Sequence, residues 1–116
     1  MVVDNELTQS EIDRLFQALS DATRRDIFRR TVEHGDSVSV LASRYSMSFA
    51  AVQKHVKVLE RAALVTKERR GREQIVHANG ATMRRASALL DGYEQLWIHR
   101  VEQIEEILET QEGEKA

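Results

Sequence analysis

Two groups of polar and cationic side chains in this 116-residue chain have the types and spacing to do chemistry, and both suit phosphates and base edges. The first lies in the run Ser48 to Ala63. With Val52 set at zero and about 100° added per residue, Val52, Val56, Leu59 and Ala63 fall on one side of a helix. Ala50, Gln53, Lys54, Lys57 and Arg61 fall on the other. A small residue permits close approach to a major groove, where glutamine can pair with adenine and lysine can reach guanine or phosphate. His55 sits at the edge of this face, with a structural and a phosphate-contacting role equally open. The second group is Lys67, Arg69, Arg70 and Arg72, crowded around Gly71. Arginine offers a planar fork of donors that fits phosphates and a narrow minor groove. Taken singly, the lysines read as a solvated helix face and the arginines as a turn kept soluble by charge. Their close succession is what favours a nucleic-acid partner.

Charge is distributed to match. The net charge is −2, yet Arg44 to Gln74 holds eight basic and three acidic residues, whereas Ser87 onward holds two basic and eight acidic ones. A basic working end and an acidic terminal segment follow. Other chemistries find no residues. The chain has no cysteine, which removes disulfides, thiolate metal ligands and a cysteine nucleophile. No Ser-His-Asp set, phosphate-cradling glycine loop or carboxylate cluster is present, so a non-enzymatic binding protein without a cofactor is expected. His34, before Gly35, suits the negative end of a helix, and His77 reads as surface. The start, Met1 to Thr8, lacks a basic segment followed by an apolar run, and no apolar stretch nears the roughly 20 residues of a membrane span. A cytoplasmic protein with no membrane partner is the expectation.

The elements that must position these residues follow from periodicity. Ile12, Leu15, Phe16 and Leu19 form a first helix capped by Ser10 and ending near Ser20. A second starts between Asp21 and Thr23, buries Ile27, Phe28 and Val32, and stops at a left-handed Gly35. Arg24, Arg25, Arg29 and Arg30 occupy its other faces. Ser37 or Ser39 caps a third, short helix bearing Val40, Leu41 and Tyr45 and ending at Ser46-Met47. Ser48 caps the fourth after a connection of two or three residues, the turn of a helix-turn-helix. Leu64 to Lys67 and Gln74 to His77 then read as two strands of a hairpin. Ala81 to about Glu109 is one long helix with Leu89, Leu90, Tyr93, Trp97, Val101, Ile104 and Leu108 along a stripe. The fold class is mostly α with a small β-hairpin, a winged helix-turn-helix. One domain over residues 10–110 is expected, with residues 1–9 and 111–116 as flexible ends.

Ser20-Asp21-Ala22-Thr23-Arg24-Arg25-Asp26-Ile27, the run Met47 to Val65 and Arg70-Gly71-Arg72 closely resemble the ArsR family of winged-helix repressors. The resemblance extends from about Ile12 to Ile107, and its most specific part is the run that joins cap, recognition helix and first wing strand. It implies a dimeric repressor on an inverted-repeat operator in double-stranded DNA, released by an inducer. Metal-responsive members carry paired cysteines before the turn, where this chain has Val38-Ser39-Val40-Leu41-Ala42-Ser43. Other members place Asp and His ligands on the last helix. Here Asp91 is followed by Gly92-Tyr93, with Glu94, His99 and Glu102 nearby. His99 and Glu102 could share a metal across a dimer, but a surface pair three residues apart is the commoner arrangement, and no metal site is expected.

The last helix's stripe holds more apolar surface than one small domain can cover. Leu15, Phe16 and Leu19 of the first helix complement it, so a two-fold homodimer is expected with its recognition helices about 34 Å apart. Three functions fit such a chain: a repressor without a metal, one gated by a metal at the last helix, and a protein-interaction module that never touches DNA. A docking face for protein needs an apolar centre more than a row of arginines. The inducer, if one exists, cannot be named from these residues.

Overall fold

The computed structural model describes residues 6–115, with side chains through Gly113, in the order α1 (Gln9–Leu19), α2 (Ala22–Glu33), β1 (Asp36–Ser37), α3 (Val38–Ser43), α4 (Phe49–Arg61), β2 (Val65–Arg70), β3 (Glu73–Ala78) and α5 (Gly80–Lys115). Of the flexible ends expected above, residues 1–5 and 116 lie outside the described residues. Thr8 rather than Ser10 begins α1. Its hydroxyl accepts from the Glu11 amide at 3.2 Å while the Glu11 carboxylate accepts from the Thr8 amide at 3.0 Å. This reciprocal capping box satisfies two otherwise orphaned donors, which Ser10 with Asp13 cannot do.

The α1–α2 corner explains the Asp21 to Arg25 segment. Asp21 caps α2 by accepting from the Arg24 amide at 2.9 Å. Arg24 Nε and Nη2 donate back to the Ala18 and Gln17 carbonyls at 2.8 and 3.1 Å, and Arg25 Nη1 to the Leu19 carbonyl at 2.7 Å. One helix end thus supplies donors to the exposed carbonyls of the other. Val32, expected inside, is half exposed, while Ile27 and Thr31 are buried. α2 ends in an extended His34 with φ −147°, and Gly35 is not left-handed; the glycine with positive φ among the described residues is Gly71. What Gly35 provides is room, since a Cβ there would lie 2.9 Å from the His77 ring.

β1 adds an unforeseen third strand. Asp36 and Ser37 pair antiparallel with Val76 and Ile75, giving the sheet order β1-β3-β2. Ser37 then caps α3 by accepting from the Val40 amide at 3.1 Å. Val38 and Leu41 face the core, and Val40, expected to do so, is 40% exposed. α3 stops at Ser43, earlier than expected, so the connection to α4 is the five residues Arg44 to Ser48. Tyr45 leaves the helix to give its hydroxyl to Asp26 of α2 at 2.5 Å. Arg29 and Arg30 hold the same carboxylate at 2.9 and 3.1 Å. These three hydrogen bonds hold Asp26 far below the usual carboxylate range, with the Tyr45 hydroxyl the largest influence, and burial pushes the Tyr45 hydroxyl up. The α3–α4 turn is therefore pinned to α2.

Val52, Val56 and Leu59 of α4 are completely enclosed by Leu15 and Ala18 of α1, Ile27 of α2, Leu41 of α3 and Val65 and Val76 of the hairpin. Ala63, expected on this core face, is exposed and left-handed at φ 60°. Its amide donates to the Glu60 carbonyl at 2.9 Å and the Leu64 amide to the Leu59 carbonyl at 3.0 Å. This is a Schellman ending, closed by the burial of both Leu59 and Leu64, with alanine at the position glycine usually fills. α5 starts from the Asn79 side chain, which accepts from the Ala81 amide at 3.2 Å, and is anchored where Thr82 is buried and Ala86 packs on the core. It continues as helix to Lys115, past the end expected near Glu109. The radius of gyration is 20.8 Å, where about 13 Å is usual for a compact chain near this length.

Candidate nucleic-acid interface

α4 presents the expected face. Ser48 caps it, accepting from the Ala51 amide at 3.1 Å. Ala50, Gln53, Lys54, Lys57 and Arg61 are exposed on the side away from Val52, Val56 and Leu59. His55 turns out to be half-buried and directed inward, its Nδ1 3.4 Å from Arg24 Nη1. That contact ties α4 to the α1–α2 corner and favours the structural role over the phosphate-contacting one. A residue not singled out from the sequence, Phe49, stands 47% exposed in the first turn of α4. Its position directly after the cap was the available signal, since the first turn is the part of a recognition helix that meets base edges.

The hairpin forms with β2 and β3 paired from Val65 with Ala78 to Arg70 with Glu73. Gly71 with φ 60° and Arg72 make the two-residue turn, glycine first as a type II′ turn requires. Alternation along β2 divides its three cations between two faces, with Arg72 in the turn. Lys67 and Arg69 share a face with the buried Val65 and Val76, the side toward α4. Lys67 Nζ is 3.4 Å from the Glu60 carboxylate of α4, a link between wing and helix. Arg69 and Arg72 line a cleft of about 250 Å³ together with Phe49 and Gln53 of α4, Val38 and Ser39 of α3, and Glu73 and Gln74 of β3. Gln53 and the wing arginines, 16 to 19 residues apart in sequence, thus border one space. Arg70 lies on the opposite face, where its Nε and Nη2 donate to the two Glu68 oxygens at 3.1 and 3.3 Å. His77 Nε2 meets the same carboxylate at 2.8 Å. These hydrogen bonds, the histidine's first, hold the Glu68 carboxyl below its usual value.

The residues expected at a dimer interface divide as well. Leu15 is 2% exposed inside the protomer's own core and has no surface to offer a partner, and Leu19 packs partly against that core. The helical angle put Leu15 beside Phe16 and Leu19, but α2 and α4 close over it. Phe16 is half exposed, Leu89 and Val101 are partly covered, and Leu90, Tyr93, Trp97, Ile104 and Leu108 stand in the open with Leu96, Ile98 and Ile107, which the expected stripe omitted. His99 and Glu102 are exposed, and among the described residues no three His, Asp or Glu side chains gather as metal ligands would. No described helix is long and apolar enough to cross a membrane.

A helix-turn-helix followed by a cationic two-residue hairpin, with the second helix's polar face and the hairpin tip sharing a cleft, defines a winged-helix DNA-binding fold. A helix-turn-helix domain family matches residues 19–68. The HTH-type transcriptional regulator YuzN of Bacillus subtilis (strain 168), itself uncharacterized, is 33% identical over 79 residues, covering 62% of this chain and 86% of that one. An ArsR-like transcriptional regulator from Rhodococcus sp. RHA1 superposes with a TM-score of 0.76 at 33% identity, covering 84% of this chain and 92% of that one. A winged helix-turn-helix DNA-binding domain from Mycobacterium bovis, described as homodimeric, shares the fold with a TM-score of 0.61 at 21% identity, over 74% and 80%. The chain belongs to the ArsR-like family of helix-turn-helix transcriptional regulators.

Proposed function

We propose that this regulator is a homodimeric repressor that reads an inverted-repeat operator in double-stranded DNA, with α4 in the major groove and the wing along the phosphates. The observation that carries the reading is the cleft shared by Gln53 of α4 and Arg69 and Arg72 of the wing, which sets base-reading and phosphate-binding groups side by side. Ala50, Gln53, Lys54, Lys57 and Arg61 form the groove-facing surface, and Arg69, Arg70 and Arg72 supply backbone contacts. Lys67 and His55 hold that surface in place. Such a protein works in the cytoplasm, where its DNA is, and an inducer of unidentified chemistry releases it.

The dimer rests on α5. Eight large apolar side chains between Leu90 and Leu108 are 40–69% exposed. Covering what remains of each contributes on the order of 1 kcal/mol. Two copies together then reach about 16 kcal/mol, enough to offset the roughly 4–15 kcal/mol that association costs. Phe16 joins this surface and Leu15 does not. The test selects duplexes from a random pool and measures mass by sedimentation with and without the selected site. A two-half-site palindrome bound by a dimer is the expected result. Selection of no sequence, or full affinity from a monomer, would sink the reading.

A further inference from the structure

Arg70 is already engaged within the protein. Strand alternation puts Glu68 and Arg70 on one face of β2, and the guanidinium grips the carboxylate with two donors, at 3.1 and 3.3 Å. That fork-to-fork geometry is the one arginine uses on a phosphate. The carboxylate is itself held still. His77 Nε2 sits 2.8 Å from Oε2, on the oxygen that also receives Arg70 Nη2. The imidazole in turn packs on Gly35, where any Cβ would come within 2.9 Å of it. The two strands of the hairpin and the distant Gly35 therefore converge to present one carboxylate to one wing arginine.

We propose that Glu68 is an internal phosphate surrogate: it occupies the Nε and Nη2 donors of Arg70 in the free protein, and DNA must displace it before a backbone phosphate can take that bidentate edge, two of the five guanidinium donors. The inference rests on the reading that the wing lies against DNA. Its effect is to lower the affinity for every duplex without regard to sequence. Exposed ion pairs are weak, so the exchange is easy and the attenuation modest. Arg69 and Arg72 face the cleft instead and are not subject to it. The wing thus holds two classes of arginine, Arg69 and Arg72 bordering the cleft and Arg70 metered by Glu68.

A double-mutant cycle on random-sequence duplex at fixed salt tests this. Glu68→Gln keeps the shape and removes the charge, and should tighten binding by about two- to five-fold per wing, the worth of an exposed pair. Removing any acidic charge near DNA helps a little, so Glu73→Gln at the same tip is the control and should give a smaller gain. The decisive comparison is in the Arg70→Ala background, where Glu68→Gln should no longer tighten binding. A gain that persists without Arg70, equals that of Glu73→Gln, or is absent altogether would overturn the proposal. If Arg70→Ala alone leaves affinity unchanged, this inference falls while Arg69 and Arg72 still carry the wing reading; if Arg69→Ala with Arg72→Ala also changes nothing, the wing reading falls as well. Weaker binding by Arg70→Ala beside a silent Glu68→Gln removes only the surrogate.

Discussion

α4 and α5 carry apolar stripes of the same kind, yet their fates are opposite. Val52, Val56 and Leu59 of α4 are wholly enclosed by their own protomer, while Tyr93, Leu96 and Trp97 of α5 are 60–69% exposed. The difference lies in the neighbours. α4 is surrounded by three helices and the wing, whereas α5 leaves the core after Ala86 and, among the described residues, only the segment from Glu6 to Ile12 flanks it, as far as Leu96. A stripe at helical spacing states that one face of a helix avoids water; it does not state whose atoms will cover that face.

Substitutions in the two helices should therefore fail differently. Leu59→Ala removes a fully enclosed side chain and should cost about 2–5 kcal/mol of folding stability, measured by urea denaturation. Trp97→Ala should weaken dimerisation by about 2 kcal/mol or more while leaving the fold from α1 to β3 intact. Sedimentation equilibrium and a concentration series of circular-dichroism melts separate those effects. An equal loss of fold in both variants would erase the distinction.

On α4 the outward face can be tested apart from the inward one. Gln53→Ala should relax base preference at one position of each half-site by about 1–3 kcal/mol, without a change in melting temperature. A uniform loss across all sequences would make Gln53 a positioning contact only. At the end of the same helix, Ala63→Gly should stabilise the protein by roughly 1 kcal/mol, because glycine adopts the left-handed conformation without the strain alanine bears. Thermal melting reports it, and destabilisation would show that the chain entropy glycine adds outweighs the relief.

The smallest effect concerns the pin between α2 and the α3–α4 turn. Asp26 has a folded-state value depressed below its unfolded value near 3.9. Its ionised form therefore contributes stability in full above that pH, and the contribution is lost as pH falls toward the folded value. Asp26→Asn should cost about 0.2–1 kcal/mol at pH 7, as expected for a partly exposed network, and the deficit should narrow below about pH 4. A deficit constant across pH would assign it to packing rather than charge.

Much of the candidate interface's geometry was legible because it follows local rules. The Ser48 cap, the outward face from Ala50 to Arg61 and the Gly71 turn all depend on residues within a few positions of one another. The misplaced features depend on distant ones. His55 lies at the edge of a helical wheel, and Arg24, held by the end of α1, comes to meet it there. β1 is two residues long and exists because β3 offers it an edge. The four wing cations form one cluster in sequence, and Arg70 is parted from Arg69 because pairing continues to Arg70 with Glu73, so that strand alternation applies to both.

The sequence by itself determined the class of element at nearly every position, the charge asymmetry and the ArsR-like character, since caps, turns and periodicity are properties of neighbouring residues. Tertiary structure decided which apolar residues become core, which cations are already paired and which surface is left for a partner. Leu15 and Phe16 make the point: adjacent on α1, one is enclosed under α2 and α4 and the other is half exposed. A helical angle fixes a residue's direction about its own axis, but burial depends on what the rest of the chain brings to that side.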